Sequence, residues 1–310
     1  MKILFMGTPI FAVNVLDKIY QNNYDIVGVV TAPDKPAGRG KKIMQSDVKL
    51  YCLTKKLHLL QPINLKDPAF IDQVQNLKPD VIVVVAFRML PRVIWEIPKH
   101  GTFNLHASLL PNYRGAAPIN WAIINGEKES GVTTFFIDEK IDTGAIIMSK
   151  KVNIEDGTTA GDLHNELMEL GAELVVNTIE KIADNNYHTK KQVLSSDQKK
   201  APKLNRINSE INWNKHNTII RQFILGLSPH PGAWTTVSFK NKTFNFKIFN
   251  AQLSKKKFSP KKIVIDNGKL YIGTINYSIE LTEVQIEGKK RMPAKLFLKG
   301  YQNFESYTII

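Results

Sequence analysis

Cysteine is nearly absent: Cys52 is the only one in 310 residues. A lone thiol can neither close a disulfide framework nor furnish a multi-cysteine zinc site, and it suits a reducing cytoplasm. No apolar stretch approaches the roughly 18 residues that a membrane helix requires. Residues 1–7 form a short apolar run ending in a turn, without a long apolar leader core or a cleavage site, so a secretory leader is not expected. Several familiar signatures are missing as well. Proline stands at position 9, where a G-x-G-x-x-G turn opening at Gly7 needs its second glycine. G-x-x-x-x-G-K-[ST], G-x-S-x-G and H-E-x-x-H do not occur. Pyrophosphate-binding dinucleotide enzymes, P-loop NTPases, ordinary α/β hydrolases and zincins thereby lose their usual support.

Acidic residues are also scarce, 28 against 42 Lys and Arg, for a net charge of +14. Residues 207–310 hold 16 basic and 6 acidic side chains, whereas the first 206 residues hold 26 and 22. The positive field is concentrated in the last third, as a surface meeting phosphate polyanions would require, although solubility alone would also account for it. The remaining composition, 43% hydrophobic and 23% charged, excludes a disordered chain and provides for one or two cored domains.

Apolar, β-branched runs at 2–6, 26–31, 81–86 and 102–105 lack strict alternation, as expected of strands covered on both faces. Between them, residues 11–20 follow Pro9, and 67–77 bring Phe70, Ile71, Val74 and Leu77 onto one helical face. The βαβα order predicts an α/β fold with a doubly wound, mostly parallel sheet. Further apolar runs lie at 132–137 and 145–148. A long helix then follows, capped by Thr159 with Asp162 three residues on, its apolar stripe made by Leu163, Leu167, Leu170 and Leu174. From about residue 187 the chain is polar, basic and aperiodic. One helix at 217–227 and a series of short strands separated by Asn-Gly and Gly turns then predict a small β-barrel. The expected division is therefore 1–188, a linker at 189–206, and 207–310.

The segment richest in chemistry is 103–115, FNLHASLLPNYRG. Asn104 and His106, two residues apart on a strand, project to one face at the carboxyl end, where open α/β sheets bind ligands. A strand-end histidine alone is more often a structural hydrogen-bonding residue. A carboxamide on the same face, an apolar loop closed by Pro111, and Asp142 in a turn ended by Gly144 together offer an acid/base, a donor and a carboxylate. Asp142 could instead simply bond its own turn. In PAGRGKK at 36–42, Gly38 and Gly40 flank Arg39; the segment reads as a solvated loop or as an arm whose Arg39, Lys41 and Lys42 meet phosphates. Phe244, Phe246, Phe249, Tyr271 and Tyr277 are expected mostly in the core of the barrel rather than stacked on bases.

These residues match a family. Asn104-x-His106, SLLPNYRG from Ser108 to Gly115, and Asp142-Thr143-Gly144 resemble the folate-dependent formyltransferases, as do GTP at 7–9, PAGRGKK at 36–42, APKL at 201–204, GLSPHPGAW at 226–234 and GKKRM at 288–292. The resemblance implies a Rossmann-like catalytic domain followed by a small barrel of OB-like character. It also implies transfer of a formyl group from 10-formyltetrahydrofolate, without metal, to the α-amino group of methionine on initiator tRNA. Within it Asn104, His106 and Asp142 are the catalytic candidates. Ser108, Leu109, Leu110 and Pro111 are the folate-contacting loop, and Arg39, Lys41 and Lys42 contact tRNA. A cytoplasmic monomer is expected. A formyltransferase for a small amine, such as an amino sugar nucleotide or glycinamide ribonucleotide, shares the central motifs but has no evident use for the basic loop and C-terminal charge. A nucleic-acid-binding protein on an inherited fold has no use for the three polar candidates. One local departure is AFRMLP at 86–91, where Arg88 stands in place of the family's common glycine.

Overall fold

A computed structural model describes residues 1–37, 42–193 and 197–310. In chain order the first elements are β1 (Lys2–Gly7), α1 (Ile10–Gln21), β2 (Asp25–Val30), β3 (Lys35–Ala37), β4 (Lys42–Met44), α2 (Asp47–Lys55), β5 (Leu59–Leu60), α3 (Pro68–Leu77), β6 (Val81–Val85), α4 (Arg92–Trp95) and β7 (Thr102–His106). There follow β8 (Arg114–Gly115), α5 (Pro118–Ile124), β9 (Glu129–Phe136), β10 (Ile146–Asn153) and α6 (Ala160–Ala183). The later part contains β11 (Lys200–Ala201), α7 (Asn217–Leu227), β12 (Ala233–Phe239), β13 (Lys242–Leu253), β14 (Ile263–Asp266), β15 (Lys269–Gly273), β16 (Ser278–Ile286), β17 (Met292–Pro293), α8 (Ala294–Gly300) and β18 (Thr308–Ile309).

The first sheet has the order β10-β9-β7-β6-β1-β2-β5. Strands β7, β6, β1, β2 and β5 are parallel, and β9 joins β7 antiparallel. The unbroken apolar runs explain this placement: all of β6 and every residue of β1 after Lys2 are buried, as strands covered on both faces must be. Starting at the centre with β1, the chain builds outward through β2 and β5, then returns to β6 on the other side of β1. The direction of winding reverses between β1 and β6, so the carboxyl ends of these strands border a crevice. Strand β10 continues through Lys150 and Lys151, beyond the apolar run that announced it. It is the terminal strand of the sheet, and an edge tolerates exposed charge.

Helix starts follow the side chains available. Asp67 caps α3 by accepting from the Ala69 N–H at 3.0 Å. At α6, Thr159 Oγ1 accepts from the Asp162 N–H at 3.1 Å while Asp162 Oδ2 accepts from the Thr159 N–H at 2.9 Å. This reciprocal arrangement is a capping box with aspartate in the place of glutamate. Leu163, Leu167 and Leu174 are buried, as the stripe on α6 requires.

The second large sheet runs β14-β15-β16-β13-β12-β18, with β17 on β16. Its neighbours pair antiparallel. The expected barrel takes the form of a curled, open half-barrel. Phe246, Phe297 and Phe304 meet in its core with ring centroids 4.9 to 5.7 Å apart. Phe249 and Tyr271 are buried too. Tyr277 is exposed, with Lys257 Nζ 5.5 Å from its ring centroid.

By packing, the chain forms two compact units: Met1–Gly115, Ser130–Val152 and Asn165–Lys200 in one, and Ala116–Glu129, Asn153–His164 and Ala201–Ile310 in the other. Two stretches from before residue 188 thus belong with the half-barrel, whereas a single cut at that position would leave them in the first unit. Among the described residues no helix is long and apolar enough to cross a membrane.

Candidate active site

His106 is the last residue of β7 and only 6% exposed. Its Nε2 lies 2.8 Å from the carbonyl oxygen of Tyr113. A carbonyl only accepts, so Nε2 carries hydrogen and donates. The other ring nitrogen, Nδ1, faces Asp142 Oδ2 at 3.8 Å, too far for a hydrogen bond. Asn104 shares the face of His106, as strand parity requires. It is half-buried between Val84 and Phe135 in the sheet, and among the described residues no hydrogen bond engages its carboxamide. The opposite face of β7 is covered by α6. A Cβ on Gly171 would stand 2.8 Å from Leu105 Cδ2, so glycine permits the helix to seat this closely.

Asp142 comes from the connection between β9 and β10 and holds a left-handed backbone, φ 55°. Its Oδ2 accepts from the Gly115 N–H at 2.9 Å. The turn-forming role open to Asp142 belongs instead to Asp138, whose Oδ1 accepts from the Lys140 N–H at 3.0 Å and from Thr143 Oγ1 at 2.6 Å. The Asp142 carboxylate is thereby left to face the imidazole. Gly144 ends the turn under a hard constraint, since a Cβ there would lie 1.6 Å from the Phe136 carbonyl oxygen.

Gln192 braces this turn. Its Nε2 donates to the carbonyls of Asp142 at 3.0 Å and Gly144 at 2.8 Å, and its Oε1 accepts from Arg114 Nε at 3.1 Å and Nη2 at 2.5 Å. Burial draws the Arg114 guanidinium below its usual range, with Asp142 and Asp138 pulling in the other direction. A little further on, the chain returns along the loop after β7. Tyr113 N–H donates to the Lys199 carbonyl at 2.7 Å, Lys199 N–H to Asn112 Oδ1 at 3.2 Å, and Gln198 Nε2 to the Pro111 carbonyl. The supports of the site therefore lie in a segment read from sequence as a linker.

The loop of Ser108, Leu109, Leu110 and Pro111 is held by one bond of its own and by Thr133 of β9. Ser108 Oγ donates to the Asn112 carbonyl at 2.7 Å, and Thr133 Oγ1 donates to the Ser108 carbonyl at 2.7 Å while accepting from the Leu110 N–H at 3.3 Å. Leu110 is buried, Leu109 packs over Gly131, and the Leu110–Pro111 peptide is cis. At the end of β6, Ala86 is left-handed with φ 45°. Arg88 beyond it donates through Nη1 to the Ile63 carbonyl at 2.8 Å and through Nη2 to the Pro62 carbonyl. Arg88 thus ties the loop after β6 to the segment after β5, and burial lowers the pKa of its guanidinium. Arg39 and Lys41 lie outside the described residues, and Lys42 begins β4. No cluster of three or more His, Cys, Asp or Glu side chains is placed to hold a metal ion among the described residues.

Sequence reasoning missed Gln192, the Tyr113 carbonyl and the Gly115 N–H. The latter two are main-chain groups, which no residue type announces. Gln192 stands 50 positions from Asp142 in a polar, aperiodic stretch, and only its amide character hinted at a bridging role.

Comparison with known proteins identifies the family of the chain. The family described as formyl transferase matches residues 1–179, and the formyl transferase C-terminal domain matches 203–302. The chain is 51% identical over 302 residues to a methionyl-tRNA formyltransferase of Flavobacterium johnsoniae, covering 97% of this chain and 96% of that one. It is 43% identical over 305 residues to the methionyl-tRNA formyltransferase of Clostridioides difficile, covering 97% of each. Among solved structures it resembles an N-formyltransferase from Helicobacter canadensis in complex with folinic acid and dTDP-3-aminofucose. That likeness has a TM-score of 0.66 and 25% identity, over 91% of this chain and 98% of that one. With both family domains matched in order and such relatives aligned nearly end to end, the chain belongs to the formyl transferase family.

Proposed function

We propose that this chain transfers the formyl group of 10-formyltetrahydrofolate to the α-amino group of methionine carried by initiator tRNA. The observation that carries the chemistry is the His106 imidazole facing the Asp142 carboxylate at 3.8 Å at the carboxyl end of β7, on the strand face that Asn104 shares. The relatives named above supply the substrate class. A formyl-folate suits these residues, because an amide-like carbonyl under attack needs a hydrogen-bond donor and a proton carrier, and Asn104 and His106 are both. Bound there, it supplies an activated formyl group. The loop of Ser108, Leu109, Leu110 and Pro111 lines the folate side.

Attack by the amine on the formyl carbon places negative charge on oxygen and leaves a surplus proton on the incoming nitrogen. The Asn104 N–H donates to that oxygen. His106 Nε2 is committed to Tyr113, so Nδ1 is the nitrogen that works, beside Asp142 Oδ2. The pair Nδ1 and Oδ2 takes the proton from the amine and returns one to the departing nitrogen. While the imidazole holds both protons, Asp142 offsets its charge. Residues 1–188 are assigned the chemistry. The basic surface of 207–310, with Arg39, Lys41 and Lys42, is assigned to tRNA phosphates.

The test is whether purified protein consumes 10-formyltetrahydrofolate only when methionyl initiator tRNA is present. Consumption driven by an amino sugar nucleotide or glycinamide ribonucleotide, with none driven by tRNA, overturns the assignment of substrate.

A further inference from the structure

We propose that Gln192 is a positioning residue for formyl transfer, acting by fixing Asp142 against His106. The inference rests on the role assigned above to Asp142. Four links close a circuit. Gln192 Nε2 donates to the carbonyls of Asp142 and Gly144, on either side of Thr143, and so sets two successive corners of the turn. The Asp142 carboxylate accepts from the Gly115 N–H at 2.9 Å. Gly115 is bonded to Arg114, and the Arg114 guanidinium donates back to Gln192 Oε1 through two nitrogens. The backbone of Asp142 needs such restraint. A left-handed conformation at a residue with a Cβ persists only where the surroundings hold it.

Side-chain chemistry explains why an amide stands here. The site asks for donors on one side, toward two carbonyls, and an acceptor on the other, toward a guanidinium. Glutamate would keep the acceptor and turn an anion on the carbonyls. Methionine would keep the length and lose both functions. Gln192 has no place on β7 or in the turn, and its side chain reaches the Asp142 main chain rather than the carboxylate. It acts on the reaction through Asp142 alone.

Gln192→Met, Asp142→Asn and the double variant of the full-length protein should be compared in steady-state formylation of methionyl initiator tRNA. Melting temperature and binding of a folate analogue are measured alongside. Misplacement of a reacting group by about 1 Å can cost ~10²-fold in rate, so Gln192→Met should lower kcat by about 10- to 100-fold while KM for both substrates moves less than about threefold. In the Asp142→Asn background the same substitution should change kcat by less than about threefold, because the group it positions is already gone. Gln192→Glu, which retains the acceptor for Arg114, should also lower kcat with KM held, and it serves if the methionine variant does not fold. Wild-type kcat in Gln192→Met or Gln192→Glu, with Asp142→Asn impaired, overturns the inference and leaves the role of Asp142 standing. An equal loss in the wild-type and Asp142→Asn backgrounds overturns it as well, since Gln192 would then act by another route. Wild-type kcat in Asp142→Asn refutes the role of Asp142 itself.

Discussion

Asp142→Asn tests the proposed proton transfer directly, because the two side chains have nearly the same shape. The amide oxygen introduced by the substitution can still accept from the Gly115 N–H, which lies 2.9 Å from Oδ2 of the native carboxylate, so the turn and its supports remain in place. What disappears is the negative charge 3.8 Å from His106 Nδ1. For unit charges at that spacing and an effective dielectric near 20, the interaction is about 4 kcal/mol. That figure is a ceiling, equivalent to roughly 10³-fold in rate if all of it is expressed when the imidazole holds both protons. Single-turnover formylation should therefore slow by about 10²- to 10³-fold, with folate-analogue affinity changed less than about threefold. Rapid-quench measurement of formylated methionyl-tRNA, with the analogue titrated on the same preparation, separates chemistry from binding. A rate within twofold or threefold of wild type would refute the charge argument and leave Asp142 as a structural residue of its turn.

His106→Ala should reduce turnover by about 10² to 10⁴ and leave tRNA affinity almost unchanged; wild-type turnover in this variant would remove His106 from the reaction. Gly144→Ala drives a Cβ into the Phe136 carbonyl oxygen and should destabilise the fold by about 3 kcal/mol or more. Urea unfolding measures the loss, and an unchanged midpoint contradicts the packing of the turn. Burial pushes the Cys52 thiol up to about 11, so little thiolate exists at pH 8. Ellman's reagent should react with the native protein far more slowly than with the urea-unfolded chain, and equal rates would place Cys52 at the surface. Neutralising Arg39, Lys41 and Lys42 together should flatten the log-log salt dependence of tRNA binding by about 0.7 to 0.9 for each phosphate contact removed; an unaltered slope returns the loop to the solvated reading.

The parts of the fold written in side-chain periodicity were legible. The unbroken apolar runs now form β1, β2, β6 and β7, and the faces of α3 and α6 bury Phe70, Val74, Leu163 and Leu167. The pairs β3–β4 and the two-residue β5 were not legible, since each is too short to show a period. Asn104 and His106 could be placed together from strand parity alone. Asp142 needed more, because Asp-Thr-Gly describes a local turn as well as it describes a carboxylate presented to another strand. The outcome was decided by Asp138, a neighbour that took the turn bonds. Gln192 and Lys199 were hidden for a different reason. Their contacts join segments 50 to more than 80 positions apart, and a polar, aperiodic stretch carries no signal of the partner to which it folds back.

The contacts that Gln192, Gln198 and Lys199 make with the turn and the loop after β7 have a consequence for biosynthesis. A ribosome making this chain completes Asn104, His106 and Asp142 well before it reaches the groups that brace them. Until Gln192, Gln198 and Lys199 have emerged, the Asp142 turn lacks its clamp, and the loop holding the Tyr113 carbonyl lacks the strand of chain beside it. A fragment ending at residue 188 contains every side chain assigned to the chemistry and none of these supports. Competence is therefore acquired late on the growing chain, after the last helix of the first unit has already been made.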